Sequence, residues 1–116
     1  MKVRVTSVDY APPELEDRTP FDAEILKMIP GSDRQDYWIA VLTKPIRWLR
    51  QGQESEVRHI IIKARWQGTE IGPGMKQVPI GISYVTDSSV MSDSCLDFKK
   101  CAYVAIGVAD ELRPTN

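Results

Sequence analysis

A chain of 116 residues with 42% hydrophobic and 27% charged side chains has the size and composition of one globular domain, residues 1–116, which excludes a disordered or fibrous polypeptide. Its formal charge of −1 excludes a globally cationic nucleic-acid binder, and no apolar run approaches the roughly 18 residues needed to cross a bilayer. The N-terminal Met1-Lys-Val-Arg-Val lacks the apolar core of a signal peptide, so a soluble, cytoplasmic protein is expected unless a leader has been removed.

Residues 2–8 begin as a strand, with Val3 and Val5 on one face and Lys2, Arg4 and Thr6 on the other. Ser7-Val8 breaks that register. Residues 9–20 hold three prolines and four acidic side chains, the composition of a long exposed connection rather than a packed element. Residues 21–29 fit two conformations: Thr19-Pro20 would cap a helix carrying Phe21, Ile25 and Ile29 on one side, yet Phe21, Ala23, Ile25, Lys27 and Ile29 also alternate. The polar turn at 30–35 and the alternating run at 37–43 favour a hairpin. Residues 46–50 either extend that second strand or form a helical turn before a polar loop at 51–55.

The clearest signal is a central hairpin spanning 56–87. Ile60, Ile62, Ala64 and Trp66 form one face of its first run, and Val57, His59, Ile61, Lys63 and Arg65 the other. In its second run Val78, Ile80, Ile82 and Tyr84 share a face whose reverse, Pro79, Gly81, Ser83 and Val85, is shallow. Between them Gly68-x-x-x-Gly72-x-Gly74 supplies turn chemistry. It lacks the Lys-Ser/Thr ending of a phosphate-binding loop and precedes a strand rather than a helix. Residues 87–100 are polar, with a short helix expected around Leu96 and Phe98. A last strand at 101–109 sets Ala102, Val104, Ile106 and Val108 against the smaller Cys101, Tyr103, Ala105, Gly107 and Ala109, and a polar, frayed tail follows at 110–116.

These elements predict a mainly β fold: a small antiparallel β-barrel or sandwich of five to six strands, with at most one or two short helices. An OB-like barrel accommodates the order. Ile60, Ile62, Ile80, Ile82, Val104 and Ile106 are expected to turn inward together.

The chemistry is sparse. His59 is the single histidine, so Ser-His-Asp or Cys-His catalysis could centre only on it. Cys95 and Cys101 match no zinc spacing and are expected to be free thiols. The carboxylates at Asp9, Glu14, Glu16, Asp17, Asp22 and Glu24 fall in or beside a solvated loop and lack calcium-loop spacing. No catalytic set, metal or cofactor is expected.

Charge is uneven along the chain. Residues 37–76 hold seven Lys and Arg against three Glu, giving +4, whereas 1–36 carry −3 and 77–116 carry −2. The candidate binding residues are therefore Arg47, Trp48, Arg50, Arg58, His59, Lys63 and Arg65, with Lys44 and Trp66 beside them. Trp48 is expected exposed and Trp66 inward. Three functions follow in order of preference. The first is a small non-enzymatic domain acting through protein contacts, with a partner or with a second copy, as accessory, inhibitor or immunity-type proteins do. The second is a single-stranded nucleic-acid-binding barrel using the basic, aromatic middle. The third is a small enzyme with His59 in its site.

Overall fold

Six alternating runs become six strands: β1 (Lys2–Asp9), β2 (Phe21–Pro30), β3 (Asp36–Arg50), β4 (Gln53–Ala64), β5 (Val78–Val85) and β6 (Cys101–Leu112). A four-residue helix, α1 (Pro13–Glu16), follows β1, and two 3-10 turns, Ser88–Ser92 and Phe98–Lys100, lie between β5 and β6. The computed structural model describes residues 1–66 and 68–113, with Arg50 described through its backbone alone. Each strand pairs antiparallel with its sequence neighbours, and β6 closes on β1 to complete a barrel. This is an up-and-down meander, not the Greek key of an OB-fold. Closure pairs both edges of the strands within the barrel, and only the β3–β4 arm, where 46–50 pair with 53–57, extends beyond it as a two-stranded ribbon.

The barrel interior takes Val3, Val5, Ala23, Ala40, Ile60, Ile62, Ile80, Ile82, Tyr84, Ala105 and Ala109, all essentially without solvent contact. Bulky residues on β4 and β5 share the interior with small ones on β6, the size alternation that lets side chains fill a narrow six-stranded barrel. The open ends are plugged. At one end Leu15 of α1 is fully buried, and Glu14 accepts a hydrogen bond from the Tyr84 hydroxyl at 3.3 Å. At the other, Ile71 and Met75 of the β4–β5 connection are buried against the same core. Residues 9–20 are thus a packed plug and not merely an exposed connection.

Four ladder irregularities decide which side chains point inward, because one extra residue inverts the phase of everything after it. In β1 the shift lies between Val5 and Ser7, as the break at Ser7-Val8 predicted. In β2 Leu26 is the extra residue, since Ile25 pairs with Ala40 and Lys27 with Ile39. Ile25 packs inward and Ile29 outward. In β6 Ile82 pairs with Ala105 and Ser83 with Tyr103, leaving Val104 unpaired. The expected alternation therefore holds up to Val104 and reverses beyond it: Ala105, Gly107 and Ala109 are buried, and Ile106 and Val108 are half-exposed on the outside. Gly107 is required there, since a Cβ would lie 2.6 Å from the Ser7 carbonyl oxygen.

The largest irregularity is in β3, where residues 42–45 stand opposite Arg58 alone. Carbonyls freed by this bulge are taken up by Arg18, whose Nη1 donates to Pro45 O at 2.9 Å and Nη2 to Lys44 O at 3.2 Å. Beyond it the strand continues, so 46–50 are extended and pair with 53–57 through a two-residue turn at Gln51-Gly52, both with positive φ. The polar loop expected at 51–55 shrinks to that turn. Val57, expected to face away from Ile60, is buried in the same core, because the ladder breaks between them.

A second, smaller core lies outside the barrel. Ile29, Ile39 and Ile61 on outer faces are covered by Val90 and Leu96 of the 86–100 segment. No single helix forms around Leu96 and Phe98; the segment is a strap with a 3-10 turn at each end, and Leu96 N donates to Pro30 O at 2.8 Å. β6 runs on to Leu112, so 110–112 are a paired strand end and not a frayed tail. Arg113 follows, paired with Glu111, and 114–116 of that predicted tail lie outside the described residues.

Candidate functional site

The candidate residues whose side chains are described do not gather in one place. β4 rises about 3.3 Å per residue, so Arg58 and Lys63 are separated by roughly 17 Å along one strand. Arg47 and Arg58 sit on the β3–β4 arm, where Arg47 Nε lies 3.4 Å from Glu54 and Arg58 Nε 2.6 Å from Glu56. Both pairs are exposed and their charges largely cancel. The side chain of Arg50 lies outside the described residues. Trp48 is half-buried, not exposed, its ring set edge-on to Tyr84 at 5.2 Å and 71°. His59 is half-buried opposite Val41. Cys101 stands opposite Val85, two strands from β4 and thus about 10 Å away in the sheet. His59 and Cys101 therefore do not form a nucleophile–base pair. Cys95 and Cys101 are both free thiols, and burial, then Asp97, pushes the Cys101 thiol above its ordinary value, away from thiolate chemistry.

Lys63 and Arg65 are the pair that the fold places usefully. Lys63, near the end of β4, lines two grooves, and Arg65, just past the strand, lines the larger of them. The larger groove, about 920 Å³, runs along the β4–β5 connection and is walled by Trp38 and Trp66, with Asp36 and Glu70 on its rim. The smaller, about 230 Å³, lies on the shallow outer face of β5, floored by Ile61, Gly81 and Ser83 and walled by Tyr37, Phe98 and Tyr103. Five of the nine aromatic residues of the chain therefore surround one lysine.

Their exposure is unusual for large rings: Trp66 is 58% accessible, Tyr103 68% and Phe98 44%. Trp66 was expected inward, but β4 ends at Ala64 and the alternation no longer governs it. The rings are held in place. Tyr37 and Phe98 meet edge to face with centroids 5.6 Å apart. Tyr103 lies beside Gly81, where a Cβ would come within 3.4 Å of the ring. The Tyr37 hydroxyl donates to Asp33 Oδ2 at 2.6 Å. That bond holds the Asp33 carboxyl below the usual carboxylate range, while burial and then Asp33 push the Tyr37 hydroxyl well above its ordinary value. A side chain at Gly31 would overlap both partners, its Cβ 2.5 Å from Asp33 and 2.6 Å from the Tyr37 ring.

The cations rest on rings: Lys63 Nζ lies 5.7 Å from the Tyr37 centroid and the Arg65 guanidinium 5.0 Å from that of Trp66. Neither makes an ion pair among the described residues. No family model, curated protein or solved structure matches this chain. Only its own geometry bears on what this surface does. Lys63 and Arg65 were legible as a basic face, but Tyr37, Phe98 and Tyr103 were missed. The shallow Gly81-Ser83 face was the available signal, and it named no partner strand.

Proposed function

We propose that the protein is a non-enzymatic binding domain that docks a segment of a partner protein on the outer barrel face around Lys63. The observation that carries this is the set of exposed rings, Trp66 in the larger groove and Phe98 and Tyr103 in the smaller, beside two cations that make no ion pair among the described residues. Aromatic and Arg anchors dominate the binding energy of protein interfaces, and a large exposed apolar patch on a small domain marks a contact site. The chemistry favours a segment that inserts an apolar side chain between the rings and brings a carboxylate to Lys63 or Arg65.

A nucleic-acid strand fits the same surface less well. Its phosphates would meet Asp33, Asp36 and Glu70 as well as Lys63 and Arg65, and Trp48, the ring beside the other basic residues, is spent on Tyr84. Selection of peptides from a random display library on the immobilised protein tests the proposal. Enriched peptides should pair an acidic with an aromatic or aliphatic residue. Trp66→Ala and Tyr103→Ala should each weaken them about tenfold or more, whereas Arg47→Ala and Arg58→Ala should leave binding unchanged. Unaltered binding by the ring variants, or tight binding of an oligothymidylate at low salt that those variants abolish, would overturn it.

A further inference from the structure

A separate cleft lies on the other side of β3's long bulge, away from the aromatic surface. It is a cavity of about 560 Å³ between the β1–β2 pair and residues 42–46, within the roughly 300–1,000 Å³ typical of small-molecule sites. Its floor is apolar: Leu42 and Ile46 are core residues, 6% and 1% exposed, and Phe21 packs beside them. Its rim carries Arg4, Arg18 and Lys44 against a single carboxylate, Asp22.

The charge on that rim is not cancelled. Arg4 is held in a two-bond fork on Asp22, Nε to Oδ1 at 2.8 Å and Nη2 to Oδ2 at 3.2 Å, and that bond keeps the Asp22 carboxyl ionised, below the usual range. Arg18 is fixed by carbonyl oxygens, which orient the guanidinium without neutralising it and leave N–H donors free. Lys44 makes no ion pair among the described residues. The lining therefore carries two positive charges in excess, one on a pre-oriented fork, beside an apolar floor.

We propose that this cleft binds a small amphipathic anion: an apolar body on Leu42, Ile46 and Phe21, and a carboxylate or phosphate head between Arg18 and Lys44. Orientation of Arg18 before binding removes part of the ordering cost of holding the head, and the apolar floor discriminates such a ligand from a bare inorganic ion.

Titration of the full chain followed by amide NMR tests this, with octanoate and phenyl phosphate as probes and inorganic phosphate and benzyl alcohol as controls. The two probes should shift the amides of Phe21, Asp22, Thr43 and Lys44, and each control should bind at least about tenfold more weakly. Lys44→Glu, on an exposed bulge, should weaken the probes about tenfold with the spectrum of the fold unchanged, and Arg47→Glu on the neighbouring arm should have no effect. Absence of shifts with either probe, inorganic phosphate binding as well as phenyl phosphate, benzyl alcohol binding as well as octanoate, or insensitivity to Lys44→Glu would each overturn the proposal. The aromatic surface around Lys63 takes no part in any of these outcomes.

Discussion

The barrel interior and the small outer core under the 86–100 strap are built from the same residue types, yet they are closed in different ways. The interior is enclosed by six hydrogen-bonded ladders, and its side chains come from both ends of the chain, as in Val5 opposite Ala109. It contains no buried polar or charged residue among those described. The outer core has sheet on one side and a strap on the other, fastened by polar clips: Lys27 Nζ donates to Met91 O at 2.8 Å and Asp93 O at 3.3 Å, and Lys100 Nζ pairs with Asp93 at 2.7 Å. A core bounded by ladders opens only with the domain, whereas one bounded by a strap can open alone. The distinction matters for binding, because Phe98 and the smaller aromatic groove depend on the strap.

The sharpest way to break this comparison is to cut the interior. Ile82 is fully buried on β5, and Ile82→Ala should cost about 2–5 kcal/mol, the range for deleting a branched core side chain and leaving a cavity. Because Trp38 and Trp48 pack against this core, urea unfolding followed by tryptophan fluorescence should show a lower midpoint, and strap and barrel amides should lose exchange protection together. Retention of strap protection after the tryptophan transition would contradict a single interior governing the whole domain.

Leu96→Ala makes the complementary cut. Leu96 is 3% exposed, and its loss should cost about 2 kcal/mol or somewhat more, the low end for such truncations because a strap can settle into the gap. The expected signature is faster exchange at 88–100 with a much smaller shift of the tryptophan midpoint than Ile82→Ala gives. An equal shift in both would mean that the two cores form one cooperative unit.

The same contrast explains what could be read from the chain and what could not. Ile60, Ile62, Ile80 and Ile82 were legible as an inward set because their strands are unbroken where they pair, Ile62 with Ile82 and Ile60 with Tyr84. Ile106 and Val108 were misplaced because Val104, an ordinary β-branched residue, is a bulge, and nothing local to it announces the extra count. Strand alternation also hid the outer core: Ile61 read as the reverse of a core face and the alternation at 37–43 left Ile39 on no assigned side, and only the return of Val90 and Leu96 from a serine-rich segment covers them. The candidate site was half legible for a related reason. Lys63 and Arg65 are neighbours in sequence, but Tyr37, Phe98 and Tyr103 join them only through strand order and the strap, which periodicity does not encode. Arg47 and Arg58 looked like members of the same patch because sequence proximity ignores the length of an extended strand.

Acid gives the smallest expected effect and the finest separation of the two cores. The strap's first turn begins at Asp87, whose Oδ1 accepts from Ser89 N at 3.0 Å. Those Ser89 bonds hold the Asp87 carboxyl below its ordinary value of 3.8. A carboxyl whose folded value is depressed contributes stability that is fully present above the unfolded value and is lost as pH falls through the folded one. Below about pH 4 the turn should therefore loosen. The barrel interior holds no buried carboxyl among the described residues; the carboxyls bonded at its ends, Glu14 to Tyr84 and Glu111 to Gly74 N, lie at the plugs, and the Arg4–Asp22 pair that joins β1 to β2 is exposed and contributes little. Exchange measured as pH is lowered, after correction for the intrinsic rate, should show protection falling at 88–100 while β4 and β5 keep theirs. Asp87→Asn, which can still accept the Ser89 bond but does not ionise, should flatten the pH dependence of the strap without touching the barrel. Parallel loss in both regions would mean that acid acts through the outer face as a whole and not through the strap's first turn.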